Sequence, residues 1–323
     1  MSSQTMLPDS LTTLQRQRAR SRASGVREQK SESHQALPAA ITRAASKQTY
    51  YTVRFLVDRN RTLNAYRAYA YFRWVDDWLD RKTVLELGRI AFVERQQALI
   101  DACYRGEHVP DVTKEERMLV DLLSGEPEQD GGLRAYIRHM MAVMTFDTQR
   151  RGRLITGEEL DQYSYHLAAA VTEALHYFIG HDQYSPQGDE RYRAATGAHL
   201  AHMLRDTYED IEAGYYNVPC ELLQRHGIKP SDTASAPYRD WVKSRVQQAR
   251  ADFVAAKRYL AQVESLRCRI AGYAYVARFT GVLDAIEREG YHLRAGYPER
   301  KSLKAGLKLG LSVLSLSLLN TPA

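Results

Sequence analysis

The chain has 323 residues, of which 44% are hydrophobic and 26% are charged, a composition that predicts a folded core and excludes a disordered chain. Its net charge of +6 is concentrated at the ends, because residues 1–45 and residues 300–323 each carry +4 and leave the body between them at −2. A nearly neutral body excludes a nucleic-acid-binding surface, whereas basic ends suit contact with a membrane surface.

Residues 1–40 are rich in Ser, Gln and Arg and show little apolar periodicity, so they predict a disordered basic arm. Arginines among serines are also typical of a transit peptide, which remains the alternative. No apolar core of a secretory signal is present at the start of the chain. The cysteines form no CxxC or Cys/His cluster and are odd in number, which indicates a reducing compartment. A cytoplasmic location is therefore expected.

From residue 41 to residue 300 the apolar residues recur at helical spacing almost throughout. The predicted helices are Asn64–Asp80, Leu133–Asp147, Gly157–Ile179, Glu190–Ala213, Asp240–Val263 and Ile270–Glu289. The predicted connections are Glu126–Gly132, His181–Asp189, Asn217–Pro219 and Lys229–Pro237. No alternating pattern indicates a sheet and no repeat of solenoid length occurs, so a compact all-α bundle is expected.

The first of these helices carries a polar face built at steps of four, three and four residues. The residues on that face are Tyr69, Arg73, Asp76 and Asp80. Two carboxylates one turn apart form an all-oxygen site that suits Mg²⁺, and the adjacent Arg and Tyr can hold phosphate oxygens. The alternative is a solvated acidic helix end, but the flanking tryptophans indicate a partly buried helix, in which unpaired carboxylates are costly.

A second polar face follows in the helix predicted at Glu190–Ala213. Its residues are His199, His202, Asp206 and Asp210, with Arg205 and Glu209 alongside. On its own this face could be an ion-paired helix surface. Two helices that each carry Asp-x₃-Asp beside an arginine favour a diphosphate clamp instead, because a diphosphate held through several divalent ions needs carboxylates from opposite sides.

The second face also permits a transition-metal interpretation, in which His199, His202, Asp206 and Asp210 are the ligands of a helical-bundle oxidase. Such sites draw Glu-x-x-His pairs from two helices. This chain contains no such pair, so the magnesium interpretation is preferred.

The two faces together resemble the signatures of the squalene/phytoene synthases. Tyr69–Asp80 is similar to the first signature of that family, and Arg205–Asp210, followed by Gly214 and Pro219, is similar to the second. Further segments that resemble the family are Ser46–Tyr50, Met144–Asp147, Tyr163–Val171 and Leu283–Tyr291. The chain is therefore divided into a basic arm at 1–40, a catalytic domain at 41–300 and a basic, apolar tail at 301–323.

The resemblance implies an isoprenoid-synthase-type all-α bundle around a central cavity. It implies that the chain uses Mg²⁺, or Mn²⁺, to ionise a prenyl diphosphate of C15 or C20 length and to join two such molecules head to head. Carried over by position, the expected metal ligands are Asp76, Asp80, Asp206 and Asp210. The expected substrate-binding residues are Tyr69, Arg73 and Arg205, with Asp77 and Glu209 at the accompanying acidic positions.

The departures from the family pattern lie around the second signature. His199 and His202 replace a Gln and an Asn, and the Asn usually ligates magnesium, so His202 is a candidate metal ligand and His199 a candidate substrate contact. Tyr215 and Asn217 stand where Arg and Tyr are usual, and Phe279 replaces a tyrosine. A cyclopropyl end product, or an aromatic acceptor deprotonated by these histidines, remains an alternative. A non-catalytic assembly factor is a further one, but such relatives are expected to lose the metal aspartates.

The tail carries lysines up to Lys308, followed by the mostly apolar stretch Leu309–Leu319. This stretch is too short to span a bilayer, but a basic and apolar helix can lie in its interface. A final core helix is the alternative. Because long isoprenoid products are expected, peripheral membrane contact through the tail is preferred.

Overall fold

Helices form nearly all of the regular structure in the computed structural model, which describes residues 36–81, 83–124 and 131–297. The eleven α-helices of this described part are α1 (36–45), α2 (Lys47–Leu56), α3 (Thr62–Leu79), α4 (Glu86–Tyr104), α5 (Lys114–Leu123), α6 (Gly132–Arg150), α7 (Gly157–Phe178), α8 (Arg193–Ala213), α9 (Cys220–His226), α10 (Ala236–Gln262) and α11 (Leu266–Arg288). Short 3₁₀ helices at Arg59–Arg61 and Asp189–Tyr192 precede α3 and α8. The expected all-α architecture is confirmed.

Local sequence sets several helix ends. The Thr156 side chain accepts a hydrogen bond from the backbone N–H of Glu159, whose carboxylate accepts one in return, and this capping box starts α7. Helix α8 ends at Gly214, which adopts the left-handed conformation with φ of +88°. The start of α7 and the end of α8 both adjoin the segments that carry the second signature.

All six predicted helices are present, with ends that differ by a few residues. Helix α10 begins at Ala236 rather than at residue 240, because Pro237 is tolerated in the first turn. Helix α11 begins at Leu266, since the Ser265 hydroxyl accepts the N–H of Cys268. Residues 36–40, assigned to the predicted arm, belong to α1; the rest of the arm lies outside the described residues, as does the tail.

The helices bury two apolar clusters. One is built on α2 to α7 together with the end of α10 and the start of α11, and the other mainly on α8 and the remaining parts of α10 and α11. Helix α7 packs against α6 on one side and α8 on the other, while α3 contacts α5 and α6. Helices α3 and α8 therefore flank the central pair of α6 and α7.

The loop after α6 lies alongside the loop after α8. The backbone N–H of Gly152 donates to the carbonyl of Gly214 at 2.7 Å, and that of Cys220 donates to the carbonyl of Ile155 at 2.8 Å. These bonds hold the end of α6 against the end of α8. In the part of the chain that the structure describes, no helix is long and apolar enough to cross a membrane.

Candidate active site

The first aspartate pair lies at the end of α3. Asp76 is in the last turn of the helix, and Asp80 caps it, donating its backbone N–H to the carbonyl of Asp76 at 3.0 Å. Arg73 bridges Asp76, at 3.2 Å, and Asp77. The hydrogen bond from Arg73 to Asp77 is the largest effect that raises the pKa of Arg73. The charge of Tyr69, one turn earlier in the helix, makes a smaller contribution in the same direction. The structure thus keeps the predicted first face together.

The second pair lies at the end of α8. Asp206 accepts hydrogen bonds at 2.5 Å from Nε and Nη2 of Arg205 and pairs at 2.9 Å with Nε2 of His202. Asp210, one turn later, accepts a hydrogen bond from the amide of Asn217 at 2.8 Å. Glu209 is exposed on the same helix.

Both pairs sit at the carboxyl ends of their helices, where the helix dipole is negative. A carboxylate is least favourable at that end, and these two helix ends together carry seven acidic side chains. They are Asp76, Asp77, Asp80, Asp206, Glu209, Asp210 and Glu212. The local field therefore disfavours the carboxylates and favours a cation beside them.

The pKa values report the same imbalance. Burial and the neighbouring Asp80 raise the pKa of Asp76 to about 7. Burial and Asp206 raise the pKa of Asp210 to about 7. Asp206 differs: burial alone would raise its pKa, but hydrogen bonds from Arg205 and His202 outweigh that effect and lower it. One carboxylate in each pair is thus left short of positive charge.

Two residues that the site prediction omitted lie between the pairs. The side chain of Asp147 on α6 is 16% exposed; its desolvation raises its pKa, and its charge raises the pKa of both Asp76 and Asp210. Arg150 is 5% exposed and donates from Nε to Asp147 and from Nη1 to Asn217, both at 2.6 Å. The resemblance included the segment that ends at Asp147 without giving it a role, and no pattern in the sequence distinguished Arg150 from its neighbours.

Aromatic rings enclose the Arg150 guanidinium, which lies 4.3 Å from the ring centroid of Tyr163 and 4.8 Å from that of Tyr215. Contacts of this kind stabilise a buried cation. Through Asn217, Arg150 also reaches Asp210. Tyr215 and Asn217, two of the departures noted in the sequence, are therefore both partners of this arginine.

Arg151 joins the two helix ends. Its Nη1 donates to the carbonyl of Leu79 at 3.5 Å, and its Nε donates to the carbonyl of Ala213 at 3.2 Å. Leu79 is the last residue of α3 and Ala213 the last residue of α8. One guanidinium thus holds the carboxyl ends of both aspartate helices side by side.

The two histidines have different surroundings. His199 is 5% exposed, contacts the Tyr163 ring edge-on at 5.3 Å, and has neither ring nitrogen hydrogen-bonded within the described residues. Burial, His202 and Arg150 lower its pKa to about 3, so it is neutral. His202 is half exposed and bound to Asp206.

The donor set fits a hard divalent cation. Within the described ranges, no three acidic, histidine or cysteine side chains converge closely enough to hold an ion alone, so the four-ligand oxidase interpretation gains no support. Mg²⁺ binds through one or two carboxylates, keeps several waters and takes the remaining ligands from substrate phosphates. Asp76 with Asp80 and Asp206 with Asp210 could hold such ions; each pair offers only oxygen ligands.

Two cavities adjoin the acidic residues. A space of about 10 Å³, room for about one water, is lined by residues that include Asp210, Tyr215 and Asn217. A groove of about 580 Å³ runs between α4, α6 and α7 and is lined in part by Phe146 and Tyr163. Because both rings also contact Arg150, the groove and the acidic centre share a wall.

Comparison with known proteins gives a consistent picture. The family model for squalene/phytoene synthase matches residues 42–305. A 15-cis-phytoene synthase from Synechocystis sp. is 26% identical over 241 residues, which cover 65% of this chain and 71% of that enzyme.

Solved structures share the fold. A dehydrosqualene synthase in complex with a ligand superposes with a TM-score of 0.67 at 18% identity and covers 89% of this chain and 97% of its own. A squalene synthase from Alicyclobacillus acidocaldarius superposes with a TM-score of 0.63 at 21% identity, covering 81% of this chain and 96% of its own. The expected isoprenoid-synthase-type bundle is confirmed.

Proposed function

This chain belongs to the squalene/phytoene synthase family, and we propose that it condenses two C15 or C20 prenyl diphosphates head to head, using Mg²⁺ or Mn²⁺ held by its two aspartate pairs. Family and fold make it a prenyl-transferring enzyme that acts on prenyl diphosphates. The identity of the metal, the product and the roles of the site residues are what we propose beyond this.

The observation that carries the proposal is the crowding of carboxylates at the two helix ends. Asp76 and Asp210 have pKa values raised to about 7, and Asp147 lies within electrostatic reach of both. Partly buried carboxylates crowded by other carboxylates are costly, and a fold that retains them at two neighbouring helix ends would be stabilised by cations bound there. A diphosphate with divalent ions would supply that positive charge, with Asp76, Asp80, Asp206 and Asp210 as the residues that would hold the ions.

The reaction begins when the C–O bond of one prenyl diphosphate breaks and its electron pair leaves with the diphosphate. The double bond of the second molecule attacks the allylic cation, and loss of a proton closes a cyclopropylcarbinyl diphosphate, which ionises in turn. We assign Arg73, Arg205 and Tyr69 to the diphosphate oxygens. Asp76, Asp80, Asp206 and Asp210 would hold a divalent metal, which would neutralise the charge that develops on the leaving group.

His199 is the side chain that suits the proton lost in this chemistry. Its imidazole is neutral, and both nitrogens lack a hydrogen-bond partner within the described residues, so a lone pair is available one turn before His202, the partner of Asp206. The same lone pair could deprotonate an aromatic acceptor. Product analysis separates the two, because an aromatic acceptor leaves the prenyl diphosphates uncoupled to each other.

The test is incubation with C10, C15 and C20 diphosphates and Mg²⁺, with measurement of diphosphate release and mass spectrometry of extracted products. Asp80→Ala and Asp206→Ala are expected to reduce diphosphate release by at least about a hundredfold, since each removes a ligand that stabilises the leaving group. Asp240→Asn, an exposed carboxylate on α10, is the matched control and should retain full activity.

Full activity in either aspartate variant would exclude a clamp from two sides. A folded wild-type protein that released no diphosphate from any of the three substrates would instead support the assembly-factor alternative. We place the catalytic domain at 41–300 and assign the tail at 301–323 to peripheral membrane contact.

A further inference from the structure

Helix α2 exposes two aromatic side chains on one face. Tyr51 is 49% exposed and Phe55 is 66% exposed, and their rings stack 6.1 Å apart with an interplanar angle of 10°. Lys47 and Arg54 lie on the same side of the helix, because positions four and seven residues apart share a face. Lys47, Tyr51, Arg54 and Phe55 are called the α2 face below.

The α2 face is cationic. Residues 36–57 contain three basic residues and no Asp or Glu. The side chains of Lys47 and Arg54 form no ion pair and no hydrogen bond within the described residues. The first acid after the helix, Asp58, is already occupied: it pairs with Arg267 and accepts the backbone N–H groups of residues 180 and 181. Nothing acidic on α2 balances its cations.

The opposite side of α2 is anchored. Val53 is buried, and the Tyr50 ring stacks on Tyr66 at 5.5 Å. At the end of the helix, Arg267 donates to the carbonyl of Leu56 at 3.2 Å. Its neighbour Leu266 is 48% exposed and extends the apolar surface onto α11. The exposed aromatic rings therefore belong to a packed helix and not to a frayed end.

We propose that the α2 face binds the surface of an anionic lipid bilayer, with Tyr51 and Phe55 inserted among the headgroups and Lys47 and Arg54 against lipid phosphates. Exposed aromatic residues flanked by unpaired cations are the composition of interfacial helices, and each cation near an anionic surface contributes attraction. The binding does not require the proposed reaction. Only its use, bringing the site close to apolar prenyl chains, rests on the proposed function.

A tryptophan placed in the face reports its position directly. In the full chain, Phe55→Trp is expected to show a blue-shifted emission with vesicles of phosphatidylglycerol and phosphatidylcholine, and quenching when the acyl chains are brominated. Vesicles of phosphatidylcholine alone should give a smaller response. Val254→Trp, at a 52% exposed position on α10, is the control and should not respond; spectra are differences from the parent protein.

Vesicle sedimentation measures the contribution of the face. Tyr51→Ser with Phe55→Ser should lower the partition coefficient by about tenfold, given the apolar area removed. Leu85→Ser with Leu87→Ser is the matched control, because each leucine is 81% exposed but lies at the start of α4. Thermal unfolding checks that both double variants fold, and diphosphate release from a C10 substrate without vesicles reports the catalytic site separately.

Three results would overturn the proposal. An emission of the Phe55→Trp variant that is already blue-shifted without vesicles would mean that another part of the chain or a second copy covers the face. Unchanged partitioning of the variant that lacks both aromatic rings would assign membrane contact elsewhere, for example to the tail. An equal fall in the partition coefficient of the control that lacks both leucines would show that the effect is not specific to the α2 face. A wild-type protein that binds vesicles but releases no diphosphate would count against the proposed function only.

Discussion

At the scale of single residues, the acidic centre is defined by which carboxylates have partners. Asp206 has Arg205 and His202, and its pKa is lowered; Asp210 has the amide of Asn217, and its pKa is raised to about 7 because burial and Asp206 outweigh that bond. Asp76 pairs with Arg73 at 3.2 Å, but burial and the charge of Asp80 outweigh that pairing and raise its pKa to about 7 as well. The fold thus stores electrostatic repulsion that a bound cation would relieve.

This repulsion predicts a pH-dependent stability difference between the wild type and Asp210→Asn. Asp210 has a folded-state pKa of about 7, above its ordinary value of about 3.9. Between these values the folded state keeps a proton that the unfolded state has lost, so the contribution of Asp210 to stability falls as the pH rises from about 4 to about 7. Above pH 7, Asp210→Asn should be more stable than wild type by on the order of 1 kcal/mol, after allowance for solvent screening.

Urea unfolding without divalent ions at pH 4.5 and pH 8 measures this difference. The free energy of unfolding of Asp210→Asn should exceed that of the wild type only at pH 8. Adding MgCl₂ at pH 8 should stabilise the wild type more than the variant, since the ion binds the ionised carboxylate. A variant less stable than wild type at pH 8 would mean that the carboxylate is compensated.

Arg150 is the residue that links the carboxylates, and its removal should be costly. Arg150→Met leaves Asp147 buried without its cation, and breaking a buried pair of this kind costs about 3–5 kcal/mol. Arg150→Met combined with Asp147→Asn should recover much of that loss, because no unpaired charge then remains. Urea unfolding of the single and double variants is the measurement. Equal stability of the two would show that Asp147 does not need this partner.

At the scale of elements, the site depends on two helix ends meeting. Each aspartate pair is set by its own helix, but their juxtaposition depends on the loop after α6, where Arg151 donates to the last carbonyls of α3 and α8. A guanidinium there also offsets the negative ends of both helices. The loop residue therefore controls geometry without belonging to either signature.

Arg151→Met should accordingly impair function more than folding. We expect the Mg²⁺ concentration for half-maximal diphosphate release to rise by about tenfold, while the free energy of unfolding changes by no more than about 1 kcal/mol, since Arg151 is partly exposed. Arg153→Met is the control: Arg153 lies two residues away and pairs with Glu159 on the surface. If Arg151→Met and Arg153→Met require the same Mg²⁺ concentration for half-maximal release, Arg151 does not act as a bridge between the two helix ends.

At the scale of the whole molecule, the last described residue is part of the second apolar cluster. Tyr297, the last described residue, is 7% exposed and belongs to the cluster of α8, α10 and α11. Its hydroxyl accepts the backbone N–H of Arg294 at 3.2 Å. The second apolar cluster thus includes the last residue that the structure describes.

Truncation before Leu303 should therefore leave a folded protein that releases diphosphate, with weaker binding to anionic vesicles. The remaining binding should depend on Tyr51 and Phe55 of the α2 face. Circular dichroism, thermal unfolding and vesicle sedimentation provide the measurements, with the full chain as the control. If the truncated protein unfolds, the tail is a core helix and the interpretation as a membrane contact is wrong.

The sequence alone determined the class of the fold and the two polar faces. Helical spacing is a local property, so the apolar pattern located α3, α6, α7, α8, α10 and α11, and steps of three and four residues placed Asp76 with Asp80 and Asp206 with Asp210. The two signatures and their order along the chain were sufficient to predict the family. The observed helix ends differ from the predicted ones where capping residues such as Ser265 set the start of a helix.

Only the tertiary structure decided which groups lie between those faces. Asp147, Arg150 and Arg151 come from α6 and the loop after it, and they meet Asn217, Asp210 and the end of α3 through contacts across 62 to 72 positions in the chain. Such contacts have no periodic signature, because they depend on how helices pack and not on how one helix repeats. The pKa values near 7 arise in the same way, since burial and the charge of neighbouring helices exist only in the folded molecule.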